Sequence, residues 1–392
     1  MTVTAWEWNR TEPSGSGFMN LLASLEHGLG SSDIQNPETH LSVLSPEVVG
    51  GHAHVLVWLI DGFALDYLAH TPMLREDFVL QLESVFPSTT ASAISSLLTG
   101  QTPAQHGLLG WKTYLPQPNR TLTVLPAHET DHAEQRHTLD REKLHTRIRP
   151  QPLVNRIARS CTFIAPATIA YSSYNRLMSG SARVIPFESL EQVAPIAAAR
   201  ARETAGEPHF TYLYWSTLDR LGHDYGPRSE EVRSHLAELD ATYARLREAL
   251  AGTDTLLLTT TDHGMRPVTE RLEMRANPGA WNCLQRPLTG EPRAALAHVR
   301  PGRHRRFREA MRDHFGNRVE VIAMEQWLGG RAFGAGLPHP ELQARAGDYL
   351  LLPDADSYLV DAANGDGPSY RGAHGGLTPA ERNIPLFLYR GS

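Results

Sequence analysis

Cysteine is almost missing: Cys161 and Cys283 are the only two, and they stand far apart in the chain. That excludes a disulfide framework and a thiolate metal site, so any bound metal must be held by histidine and carboxylate. No apolar segment reaches the roughly 20 residues that a membrane-spanning helix needs. The opening stretch, MTVTAWEWNRTEPSGSG, lacks the basic start and apolar run of a signal peptide. The expectation is a soluble, cytoplasmic protein with no membrane partner. An excess of one charge is lacking too. Lys and Arg number 37 against 43 Asp and Glu, a formal net charge of −6, which gives no electrostatic case for polymeric nucleic acid. The basic run Arg300–Arg312 is no exception, because Arg306, Glu309 and Arg312 make a mixed-charge helix face. The last absence is local: between Phe86 and Trp111 there is no Lys, Arg, Asp or Glu.

The 392 residues suffice for a large core. His54–Ile60 is a near-continuous apolar run and reads as a buried parallel strand, ending at Asp61. Further strands are expected at Cys161–Pro166, Phe210–Ser216 and Thr255–Thr261, with PLFLY (385–389) as the last. Glu230–Leu250 carries Val232, Leu236, Leu239, Tyr243, Leu246 and Leu250 at helical spacing. This rhythm predicts an α/β fold, a mostly parallel central sheet with helices on both faces. The expected organisation is an N-terminal arm over 1–50, a core over 51–267, a small inserted cap over 268–370, and a last core segment over 371–392. Residues 115–150 read as a surface excursion or long loop. Tyr171–Tyr174 reads as a loop, and Val319–Ala323 and Tyr349–Pro353 as short strands of the cap.

The chemistry is concentrated in a few clusters. In VFPSTTASAISSLLTG, Thr89 and Thr90 stand where a short helix should begin, and Gly100 where it should end. A hydroxyl there sits beside free backbone N–H groups and the positive end of the helix dipole, which suits an alkoxide or the phosphate it attacks. Asp61 is either a turn former or a ligand. Asp219 and His223 share an Asp-x-x-x-His spacing that lets both side chains face one point. Asp262 and His263 follow the strand TLLLTTT, and His374 precedes the last strand within HGG. Any one of these residues has a structural explanation. Three Asp and three His together fit two sites of three protein ligands each, with zinc preferred over manganese for nitrogen and oxygen donors and an open position at each. Two such metals clamp the attacking and leaving oxygens of an in-line displacement, and Thr90 supplies the nucleophile.

The order Asp61, FPSTT, Asp-x-x-x-His, Asp-His-Gly, His-Gly-Gly resembles the alkaline phosphatase superfamily, and within it the nucleotide pyrophosphatase/phosphodiesterase branch. The resemblance runs from about His54 to the C-terminus, apart from 115–150 and most of 268–370. It implies an alkaline phosphatase-like fold and two Zn2+ ions, with Mn2+ as the alternative metal. One ion would be held by Asp219, His223 and His374, the other by Asp61, Asp262 and His263. Thr90 would bridge them and carry a phospho-threonine intermediate. In that branch an aromatic follows the nucleophile and an Asn follows the His-Gly loop; here these positions are Ala91 and Trp111. Tyr214 matches the branch's Tyr ahead of Asp-x-x-x-His. Ala91, Trp111 and Tyr214 are therefore the candidate substrate-binding residues.

The function so implied is a metal-dependent phosphoric ester hydrolase, a two-zinc phosphodiesterase or nucleotide pyrophosphatase with a small-molecule phosphodiester or nucleotide as its partner. The alternative is a phosphomonoesterase or phosphonoacetate-type hydrolase of the same superfamily. The nucleophile position carries neither Cys nor a Ser-x-Pro-Ser-Arg site, which argues against a sulfatase. All six ligands and the nucleophile are present, which argues against a non-catalytic binding module. Among charged residues, Lys112 lies just past the uncharged stretch, and Arg220 is expected to point away from His223. An apolar wall of Ala91, Leu108 and Trp111 is expected to receive the second ester group.

Overall fold

A computed structural model describes residues 15–131, 135–361 and 368–391. The first residues of the expected arm, 1–14, and residues 362–367 of the expected cap lie outside the described residues. The strand His54–Ile60 is wholly buried, as its apolar run requires. Val55, Val57 and Leu59 enter one apolar cluster, and Leu56, Trp58 and Ile60 enter another. Alternate side chains of one strand thus feed the cores on the two faces of the sheet. The sheet has seven strands, in the order Phe78–Glu83, Asn383–Arg390, Thr255–Thr260, His54–Ile60, His209–Trp215, Ser160–Pro166, Arg183–Phe187. Asn383–Arg390 runs antiparallel to both of its neighbours, and the other pairings are parallel.

The helix Glu230–Leu250 packs Val232, Leu236, Leu239, Tyr243, Leu246 and Leu250 on one face, and the Ser229 side chain caps it by accepting from the Val232 amide. On the other face lies the helix Thr90–Thr99, buried along its whole length, with Thr89 as N-cap and Gly100 closing it at φ 74°. Because the central strands run parallel, the residues after Ile60, Trp215 and Thr260 emerge at the same edge of the sheet, where open α/β sheets bind ligands.

Three segments differ from expectation. Within the expected arm, Phe18–Gly28 is a helix whose Phe18, Leu21, Leu22 and Leu25 are core residues. Its buried Glu26 pairs with Arg156 at 2.7 Å. The surrounding Ser, Gly and Pro dilute that helical pattern in the sequence. Tyr171–Tyr174 runs into a helix at Ser173–Met178.

The described residues of the expected excursion, 115–131 and 135–150, form strands and a helix. Lys112–Leu115, Arg120–Thr123, His128–Thr130 and Arg136–Thr138 join Thr289–Glu291, Ala294–Ala297, Tyr349–Pro353 and Val319–Ala323 in an eight-stranded antiparallel sheet. The two halves meet where Gly290 pairs with Lys112. Strands of three or four residues show no readable alternation, and their partner lies far away in sequence. Among the described residues no helix is long and apolar enough to cross a membrane.

Candidate active site

Thr90 Oγ1, on the first residue of its helix, lies 3.1 Å from His263 Nε2 and 3.5 Å from Asp61 Oδ1. The structure brings all six sequence-identified Asp and His residues around it in two groups. Asp61, Asp262 and His263 form one; Asp219, His223 and His374 form the other; the ligand-type atoms of each lie within 4.8 Å of one another. The groups adjoin, with the His263 and His374 rings stacked at 3.6 Å between centroids. Asp219 and His223 share a face of the helix Thr217–Tyr225, one turn apart, as their spacing implies.

The imidazoles are oriented from behind. His223 Nδ1 lies 2.8 Å from the Gly372 carbonyl, His374 Nδ1 lies 3.1 Å from that of Ser88, and His263 Nδ1 lies 2.8 Å from that of Gly264. A carbonyl can only accept, so each Nδ1 carries a proton and each Nε2 turns inward, offering a lone pair wherever the ring is neutral. His223 Nε2 and His374 Nε2 then face each other at 3.1 Å. Each group also holds a buried carboxylate oxygen without a hydrogen-bond partner among the described residues, Asp219 Oδ1 and Asp262 Oδ2. Converging lone pairs and orphaned carboxylate oxygens are what a divalent cation satisfies, so the residues present fit a metal in each group. Tyr214 donates its hydroxyl to Asp61 Oδ2, and Asp262 Oδ1 accepts from the Gly62 and His263 amides.

The protonation states carry the same strain. Burial pushes the Asp262 carboxyl up to about 7 and raises Asp61 as well. Burial alone would lower His263, but the Asp262 and Asp61 carboxylates outweigh it and lift the ring to about 10. Burial, with His263 and His223 close by, holds His374 well below its ordinary value.

Two cavities flank Thr90 and share Trp111 and Asp219 as walls. One, of about 530 Å³, is lined by His223, His374, Lys112, Glu291 and Tyr370. The other, of about 440 Å³, is lined by Asp61, Tyr174, Tyr212, Tyr214 and Arg220. Trp111 stands between them, 37% exposed. Tyr214 therefore presents its ring to the second cavity while its hydroxyl holds Asp61. Ala91 is different from expectation. It is fully buried and lines neither cavity, because the second residue of a wholly buried helix points into the core. Leu108 is buried likewise. Arg220, one residue off the Asp219–His223 face, lines the second cavity.

Glu291 was not signalled by the sequence. It sits at the end of the strand Thr289–Glu291 in the second sheet, buried, and accepts from Thr89 Oγ1 and, at 2.5 Å, from the Trp111 amide. Burial pushes its carboxyl up against the pull of those two bonds. LTGEPRAAL reads as an ordinary turn, and only the fold carries it to Thr89.

Over residues 55–377 the chain matches the Type I phosphodiesterase / nucleotide pyrophosphatase family. The chain belongs to that family. Human ectonucleotide pyrophosphatase/phosphodiesterase family member 1 is 27% identical over 229 residues, 54% of this chain and 23% of that relative. The matched stretch thus spans about a quarter of the relative's length. Human family member 7 is 44% identical over 63 residues, 15% of this chain and 14% of its own. Among solved structures, murine ectonucleotide pyrophosphatase/phosphodiesterase 5 shares the fold at TM-score 0.63 and 21% identity, over 85% of this chain and 87% of that one. Phosphonoacetate hydrolase from Sinorhizobium meliloti 1021, in complex with phosphonoformate, shares it at TM-score 0.60 and 19% identity, over 86% and 90%.

Proposed function

We propose that this member of the family is a two-zinc phosphodiesterase or nucleotide pyrophosphatase acting on small phosphodiesters or nucleotides through a phospho-threonine on Thr90. One observation carries the reading. A hydroxyl at the start of a ten-residue helix lies against one group of metal-ligand type, Asp61–Asp262–His263, which adjoins a second, Asp219–His223–His374. Zn2+ in each group, or Mn2+ in its place, would lower the pKa of the Thr90 hydroxyl and offset charge on the phosphate. The protein's own part is positional. Thr90 Oγ1 supplies the attacking oxygen, and the first-turn amides of its helix face the phosphate with the positive end of the dipole. Trp111 divides the space so that the two ester groups fall into separate cavities. A solved structure of an inactive variant of murine ectonucleotide pyrophosphatase/phosphodiesterase 5 holds AMP. That supports a nucleotide among the substrates, with the aromatic second cavity as the place for its base.

The test is diester against monoester. A monoester carries about two negative charges at neutral pH and a diester one. Enzymes that favour monoesters need a cationic fork on the free oxygens, and here Lys112 and Arg220 line different cavities. With zinc supplied, kcat/KM for bis(p-nitrophenyl) phosphate should exceed that for p-nitrophenyl phosphate by at least about tenfold. Equal or reversed efficiencies would favour the phosphomonoesterase or phosphonoacetate-type alternative.

A further inference from the structure

Resting on that phosphodiesterase reading, we propose that Glu291 selects the leaving group. It favours a departing alcohol that brings a hydroxyl or ammonium donor, and disfavours a departing polyphosphate. Glu291 is 7% exposed and lines the larger cavity. Its Oε1 accepts from Thr89 and Trp111, while Oε2 has no hydrogen-bond partner among the described residues. A buried carboxylate with one oxygen committed and the other free is an acceptor awaiting a donor.

Its position is built by close backbone approach on both sides. A Cβ on Gly110 would come within 2.8 Å of the Gly290 backbone, and one on Gly375 within 2.9 Å of Glu291 Cβ. Any larger residue at either glycine would push the strand and its carboxylate away from Thr89.

The side on which Glu291 stands assigns its role. Thr90 Oγ1 leans on Asp61 and His263, so an in-line displacement sends the departing oxygen the other way, toward Asp219, His223 and His374. The larger cavity opens on those three residues. Among the described residues, its other charged walls outside the Asp219 group are Asp361 and Lys112, so carboxylates outnumber cations there. A departing pyrophosphate would meet like charge there, whereas a hydroxyl or ammonium would donate to Oε2.

Three substrates with one retained thymidylyl group test this: the p-nitrophenyl ester of thymidine 5′-monophosphate, its glyceryl ester, and thymidine triphosphate. For Glu291→Gln the ratio of kcat/KM for the triphosphate to that for the glyceryl ester should rise at least about tenfold over wild type. Glu291→Asp keeps the charge, so its ratio should stay near that of wild type even where the overall rate falls. Calorimetry gives a readout free of turnover. The triphosphate should bind Thr90→Ala/Glu291→Gln about tenfold more tightly than Thr90→Ala. If Glu291→Gln depresses all three substrates in parallel and leaves the ratio unmoved, Glu291 only supports Thr89 and the inference is overturned. Wild-type enzyme inert toward all three with metal bound would bring down the phosphodiesterase reading, and this inference with it.

Discussion

Arg293 and Glu381 meet in a bidentate ion pair from which water is excluded. Arg293 Nε donates to Glu381 Oε1 at 2.9 Å and Nη2 to Oε2 at 3.0 Å, and the side chains are 2% and 0% exposed. Glu381 also accepts from the Gly376 amide at 2.9 Å. The pair ties the strand that ends in Glu291 to the loop that carries His374. Removing one partner leaves a buried charge uncompensated. Arg293→Ala should therefore cost about 3–5 kcal/mol in urea unfolding, and a loss below about 1 kcal/mol would show that the pair is immaterial. Burial would raise the Glu381 carboxyl, but Arg293 holds it below its ordinary value of 4.5. Its share of stability is thus present above that value and fades as pH falls through the lower folded one.

Thr90→Ala should lower kcat by on the order of a thousandfold with the fold intact, because no neighbouring group replaces the attacking oxygen. Thr90→Ser should retain part of the activity. Thr89 is the internal control, since its hydroxyl goes to Glu291 and not to the Asp–His groups. A dead Thr89→Ala beside an active Thr90→Ala would move the nucleophile by one residue.

Elemental analysis after reconstitution should find two zinc or manganese ions per chain, and Asp219→Ala should retain about one, since each group supplies three protein ligands. Chelation should lower the melting temperature, and restored zinc should raise it in a concentration-dependent way. A metal content well under one per wild-type chain would end the two-metal reading.

His106 follows the Thr90 helix and is buried. Its Nδ1 accepts from the Leu108 amide at 3.0 Å, and its Nε2 lies 3.2 Å from Ser96 Oγ, so the ring must be neutral. Burial holds it down, at about 3. An unfolded histidine protonates near 6.5, so below that pH the unfolded chain binds the extra proton. The stability due to His106 is whole above about 6.5 and is lost as pH falls toward the folded value, by about 1.4 kcal/mol per pH unit. Urea midpoints measured from pH 7 to 4.5 should fall more steeply in wild type than in His106→Gln. Parallel slopes would refute the assignment.

Much of the core was legible because its signals are local. The strand His54–Ile60 and the helix Glu230–Leu250 are marked by runs and spacings that their own burial demands. Asp219 and His223 could be paired because one helical turn separates them. What escaped depends on partners remote in sequence. Strands such as His128–Thr130 gain their meaning only from a sheet completed beyond residue 288. Glu291 looks like a turn residue until Gly290 pairs with Lys112. Ala91 was misplaced because a position beside a nucleophile says nothing of which way a side chain points from a buried helix.

The second sheet has a further consequence. It is threaded, not appended: the chain passes into it near Trp111, back to the core before Leu153, out again near Val268, and home at Arg371. A swinging lid turns on one pair of hinge segments. Four crossings of the chain and a buried ion pair bind this sheet to the core. Substrates reach Thr90 through the mouths of the two cavities, so selection rests on the shape and charge of walls that core and second sheet build together.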